Sequence, residues 1–318
     1  RRVLFRSQNK SCFSYLFAVD VKTLKSSWPT EYIQSDGAVV GGIKYSNETL
    51  YFATTENDSF NEKGGFFYSV NSTNGDIIFK IPITSRVYDS IEINSQENIA
   101  IVGDAKGNIS LYNTSKESIA NSERKIFTIE TDYSIISPAI QLDGPNNETN
   151  YCVGNINGEI KCYELNKGNK ITLNEWGSLK FDGWIWSNIK LYDDSLFLVT
   201  LSGNLYRVDV DLEGKNLNIA WEQNIDKNGK PVSGIMIYER GNVANSIIPF
   251  DKDKLVIAEL SNGSITDELP FKDGVQSLPV MKNDFIYFVD KENRFRSYSL
   301  IDRSQKLCFD LNEMKGCD

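Results

Sequence analysis

The side chains that most often carry covalent chemistry are sparse in this 318-residue chain. It has no histidine, which removes Ser-His-Asp and Cys-His nucleophile pairs, His-ligated metals and the commonest general base. Asp and Glu number 43, so carboxylate-only mechanisms stay open, yet no spacing singles out an acid/base pair. No glycine-rich phosphate cradle occurs. Asp251-Lys252-Asp253 opens like a calcium loop but lacks the loop glycine and the distant glutamate, and reads as a solvated turn. The five cysteines, Cys12, Cys152, Cys162, Cys308 and Cys317, contain no Cys-x-x-Cys pair, so zinc-site spacing is absent. Cys152 and Cys162 flank a turn at Asn157-Gly158 and fall on adjacent strands. Small buried residues are the favoured reading there, with a disulfide as the alternative. No catalytic or metal-binding set is expected.

Two groups of residues could instead bind. Asp36, Asp132, Asp182 and Asp273 recur in Ser-Asp-Gly, Thr-Asp-Tyr, Phe-Asp-Gly and Lys-Asp-Gly contexts, each ahead of a strand. Such carboxylates would raise the local cation concentration if clustered, whereas Asp-Gly is also ordinary turn chemistry. Trp184-Ile185-Trp186 lies beside Asp182, with Tyr88 and Tyr133 at roughly equivalent places. In an extended segment both tryptophans share one face. Exposed, that face would suit a peptide or a sugar; buried, it would be packing.

Positioning these residues falls to a repeat that runs the length of the chain. Short β-type runs are bounded by Asn, Gly, Asp and Ser clusters, and no helical stripe interrupts them. Each copy is a strand, a polar turn and a strand ending in a large aromatic, at Trp28, Phe79, Phe127, Trp176, Trp221 and Phe309. The sixth copy puts Asp267 where the aromatic should stand, and Leu269, Phe271 or a salt bridge is expected to substitute. Successive positions are 42 to 51 residues apart, the length of one four-stranded propeller blade. A serine opens the innermost strand at Ser90, Ser137, Ser187, Ser233 and Ser277. Hairpins turn at Lys106-Gly107, Asn157-Gly158 and Ser202-Gly203, where glycine supplies a positive φ.

Residues 18–28 carry Ala18, Asp20, Thr23 and Trp28 in the pattern Ala-x-Asp-x-x-Thr-Gly-x-x-x-Trp, with Leu24 in the glycine's place. Residues 69–79 keep Gly75, with Asn74 for Thr and Phe79 for Trp. This resembles the tryptophan-docking motif of pyrroloquinoline-quinone-type (quinoprotein-like) repeat propellers, over residues 13 to about 310. The resemblance implies an all-β fold, a β-propeller of about seven four-stranded blades, whose docking aromatics clamp neighbouring blades. It places the four aspartates on blade-to-blade crossings around one mouth of the central channel. Quinone-dependent members use an adjacent Cys-Cys disulfide, a Trp floor, a bound calcium and a catalytic Asp. No adjacent cysteine pair occurs here, so no cofactor is expected. The resulting reading is a non-enzymatic binding or scaffold propeller engaging a protein or glycan at the channel mouth; the alternative is a fragment of a quinoprotein-dehydrogenase-like enzyme.

The net charge of −9 and pI near 4.9 argue against nucleic acid and anionic membrane surfaces. No apolar run approaches the roughly 18 residues of a membrane span. Eight Asn-x-Ser/Thr sequons, at Asn9, Asn47, Asn57, Asn71, Asn108, Asn113, Asn147 and Asn262, give weak support to an extracytoplasmic location. Residues 1–7 resemble the translation of a sequencing-adapter oligonucleotide. The propeller is therefore expected over residues 8–318, N-terminally truncated, its first blade holding only the two outer strands.

Overall fold

A computed structural model describes residues 2–7 as backbone, and 13–20, 23, 25–55, 64–117, 119–226, 229–311 and 315–316 in full. Among these residues the chain forms seven sheets in succession. The third to sixth have four strands each, in the order in which the chain makes them. The third, for example, runs Ile91–Asn94, Ile99–Gly103, Asn108–Asn113 and Lys125–Glu130, all antiparallel. The only helices among the described residues are single 3₁₀ turns at Asn121–Glu123 and Pro145–Asn147.

Period-2 alternation explains the core. In the middle strands both faces are apolar, and Ile99–Gly103 and Ser195–Val199 are buried throughout. Alternate residues of one strand pack against different sheets: Ile248, Val256 and Ala258 join Phe197 and Val199 of the fifth sheet, whereas Ile247, Leu255 and Ile257 join Ile286 and Phe288 of the seventh. The core is thus a series of sheet-on-sheet layers. The chain divides into two compact units, residues 1–143, 148–156 and 163–175 in one, and 144–147, 157–162 and 176–318 in the other.

The hairpins are fixed by turn chemistry. Gly107, Gly158 and Gly203 have φ of +89°, +76° and +83°, as the second-to-third-strand turns require. Asp104 Oδ1 accepts the backbone N–H of Lys106 and Asn108, and Asp290 Oδ1 does the same for Glu292 and Arg294. Three of the five recurring serines fasten the entry of the first strand to the second. Ser90 Oγ donates to Gly103 O at 2.6 Å, Ser137 Oγ donates to Gly154 O at 3.3 Å, and Ser277 Oγ accepts from Val289 N at 2.9 Å.

The docking aromatics lie between sheets. Trp28 is 4% exposed, its Nε1 donates to Ser72 O of the second sheet, and its ring faces Gly75, whose φ is +83°. Trp221 lies in the same way over Gly263, φ +74°. Arg124 covers the Phe79 ring at 4.5 Å, and Lys215 the Trp176 ring at 5.7 Å. The motif's Asp-x-x-Thr element has a local cause: Asp20 Oδ1 accepts both the N–H and the hydroxyl of Thr23, closing the turn. A β-bulge precedes each docking residue where its ladder is described, opposite Phe79, Phe127, Trp221 and Asp267.

Three sequence expectations are corrected. In the seventh sheet the bulge falls opposite Leu307, two residues before Phe309; the shorter turn moves the register. The first sheet has three strands, Arg2–Ser7, Ser14–Val19 and Ile33–Gln34, where two were expected. Its Trp28 segment is reduced to one bridge, Val19 to Ser26, because Pro29 supplies no N–H to extend the ladder. Cys152 and Cys162 are buried, and both are disulfide-bonded, as is Cys308.

Candidate functional site

In the third, fourth, fifth and seventh sheets the segment leading into the first strand meets the turn between the second and third strands. Ala105 N donates to Arg86 O, Ile156 N to Ser134 O, Leu201 N to Trp184 O and Lys291 N to Asp273 O. These crossings and turns therefore occupy the same end of their sheet, and the crossings carry every candidate binding residue.

The crossing at residues 181–187 is the most elaborate. Phe181 is buried edge-on against Tyr206, ring centroids 4.8 Å apart. Phe181 N donates to Gly158 O, and the Ser202 hydroxyl donates to Asp182 O at 2.8 Å. Gly183 adopts φ +87°, and a Cβ there would meet Ser202 Oγ at 2.4 Å, so only glycine fits this bend. Ile185 is fully buried, whereas Trp184 and Trp186 are 52% and 39% exposed. Two indoles thus project from a backbone held at three points. Tyr206, packed on Phe181, donates to Glu222 Oε1 at 2.8 Å, and burial, reinforced by that carboxylate, pushes its hydroxyl up to about 12.

Tyr88 and Tyr133 are likewise exposed, at 38% and 42%. Tyr133 follows exposed Asp132, beside Thr131, whose hydroxyl donates to Gly107 O at 2.7 Å. Tyr88 stands in the loop where Asp89 Oδ1 accepts from Gly42 N at 2.9 Å.

The four aspartates do not share one environment. Asp36 is ion-paired with Lys80, which lies over the Phe66 ring, and its N–H donates to Tyr68 Oη. Asp273 pairs with Arg294 and Arg296 at 2.8 and 2.6 Å, beside a cavity of about 210 Å³. Asp132 and Asp182 are exposed and make no ion pair among the described residues. Their chemistry is to present negative charge beside exposed aromatic faces. Among the described residues no group of three His, Cys, Asp or Glu side chains could hold a metal ion.

One residue escaped sequence reasoning. Arg303 pairs with Asp267 at 2.7 Å and supplies the expected substitute for the missing aromatic. Its place, five residues after the bulge, is held by Gly75 and Gly263 in other sheets, and that spacing is the signal that finds it.

Seven consecutive sheets, layered through bulge-aimed residues, define the class: a β-propeller. Among solved structures the chain is similar to BamB from Moraxella catarrhalis, with a TM-score of 0.63 and 12% identity over 93% of this chain and 80% of that one. At that identity the likeness is one of fold. No family model matches the sequence, and no curated protein matches it significantly. Among the described residues no helix is long and apolar enough to cross a membrane.

Proposed function

We propose that this chain is a non-enzymatic binding propeller of the quinoprotein-like repeat type. It engages a protein partner through the crossing ends of its sheets, with Trp184 and Trp186 as anchors. One observation carries the reading: the two indoles are exposed on either side of a buried Ile185, on a backbone pinned to its neighbours. Large aromatics on a rigid support lose little entropy on binding and supply most of the energy at protein interfaces. Asp182 beside them, and Asp132 beside Tyr133, favour a partner segment bearing Lys or Arg, by charge and by cation–π contact. Asp36 and Asp273 are neutralised by Lys80 and by Arg294 and Arg296, and are left out of this reading. The disulfide-bonded cysteines support an extracytoplasmic, oxidising location.

The test is capture of partners from extracts of the source cells by immobilised protein. A defined partner band should be lost with Trp184→Ala/Trp186→Ala and kept with Tyr45→Ala, a 66% exposed aromatic outside the crossings. Equal loss in both variants overturns the proposal. A quinone absorbance band gained by incubating the chain with pyrroloquinoline quinone and calcium would favour the enzyme alternative instead.

A further inference from the structure

The sequons are unevenly placed on the sheets. Turns between the first and second strands, and between the third and fourth, lie at the end of each sheet away from the crossings. Asn47 follows Lys44–Ser46 in a first-to-second turn, and Asn147 stands in the equivalent turn between Ile140–Asp143 and Thr149–Gly154. Both occupy left-handed turn positions, at φ +46° and +61°. Asn262 stands in the third-to-fourth turn between Lys254–Glu259 and Ile265–Pro270. All three are exposed, and among the described residues none of their Nδ2 atoms donates a hydrogen bond. Asn71 and Asn113 lie towards the same end of their sheets but are half-buried. Asn108, at the start of its strand and at the crossing end, differs: its Nδ2 donates to Asp104 Oδ2 at 2.8 Å, and Asp104 is 7% exposed. Asn9 and Asn57 lie outside the described residues.

We infer that Asn47, Asn147 and Asn262 are N-glycosylation sites, and that the modification spares Asn108. The acceptor is the carboxamide Nδ2 and the donor an oligosaccharide carried on a lipid diphosphate. Nitrogen bonds to the sugar C1, the C1–O bond to the diphosphate breaks, the lipid diphosphate leaves, and one Nδ2 proton passes to a base. Glycans at these turns would cover the end of each sheet opposite its crossing and leave Trp184, Trp186, Tyr88 and Tyr133 accessible. This rests on the extracytoplasmic part of the proposed function. The test separates the two, because a fused secretion leader supplies the compartment whatever the native route.

The 318-residue chain is expressed behind such a leader in a eukaryotic cell, and its whole cell-associated and secreted pool is treated with a peptide-N-glycosidase. The expected result is a glycosidase-sensitive mass decrease, with Asn converted to Asp at positions 47, 147 and 262 and not at 108. Asn47→Gln, Asn147→Gln and Asn262→Gln should each lose one glycan. No mass change, or conversion that misses these three positions, overturns the inference. Mapping the unsubstituted chain requires no variant to fold.

Discussion

Arg303 Nη2 donates to Asp267 Oδ2 at 2.7 Å, so an ion pair stands where Trp28 and Trp221 elsewhere stack on a left-handed glycine. The docking residue of the sixth sheet has lost its ring, and the facing turn has lost its glycine. Arg303 keeps that residue's left-handed backbone, φ +53°. The two changes are compatible because each removes what the other would have required.

The pair is 65% exposed on the Arg303 side, and such ion pairs contribute about 0–1 kcal/mol. Asp267→Ala should therefore cost less than about 1 kcal/mol. Trp28→Ala removes a buried ring and its hydrogen bond to Ser72, and should cost about 3–5 kcal/mol. Thermal melts compare the two. Similar losses would show that the sixth interface depends on Asp267 as the first depends on Trp28.

Gly263 tests the clamp from its other side. A Cβ there would come within 2.7 Å of Trp221 Cζ3, on a backbone at φ +74°. Gly263→Ala should destabilise by about 1–2 kcal/mol from backbone strain alone, with the ring displacement added. Arg303→Gly, which relieves the same strain, should stay within about 1 kcal/mol of the parent. Denaturant midpoints decide the order.

Acid should loosen the seventh sheet. Burial opposes ionisation of Asp290, but the Arg294 N–H and the Arg296 and Arg294 guanidiniums prevail and hold its carboxyl below the usual range. A depressed carboxylate contributes stability that is present above its unfolded value, about 4, and is lost as pH falls through the folded one. Melting temperatures should drop as pH falls below the unfolded value of about 4. Asp290→Asn should flatten part of that drop while costing about 3–5 kcal/mol at neutral pH, since it leaves two arginines without this partner. An unchanged acid limb in the variant would contradict the assignment.

Cys152 and Cys162 are disulfide-bonded, and a native disulfide typically contributes about 2–4 kcal/mol. Reductant should lower the melting temperature of the parent and affect Cys152→Ala/Cys162→Ala much less. A parent melt indifferent to reductant would count against the bonded state.

Much of the fold was legible in the sequence because the repeat is written in local chemistry. Gly107, Gly158 and Gly203 mark turns that need positive φ, the serines mark first strands, and Phe79, Phe127 and Trp221 mark bulges. What was hidden depends on partners distant in sequence. Arg303 has meaning only opposite Asp267, and Leu307 takes the docking place through a two-residue change in turn length. The candidate binding residues were picked by type, and periodicity assigns Trp184 and Trp186 a common face without saying whether another sheet covers it. The neutralising of Asp36 and Asp273 was likewise invisible, since Lys80 and the two arginines come from other strands.

The central claim is that Trp28 and its equivalents hold the sheets together, while Trp184 and Trp186 hold a partner. The direct measurement is to follow Trp184→Ala/Trp186→Ala in the same preparation by thermal melting and by partner capture. The account predicts a melt within about 0.5 kcal/mol of the parent, as for surface substitutions, together with loss of the captured partner. An early melt like that of Trp28→Ala, or capture at the parent's level, would contradict it.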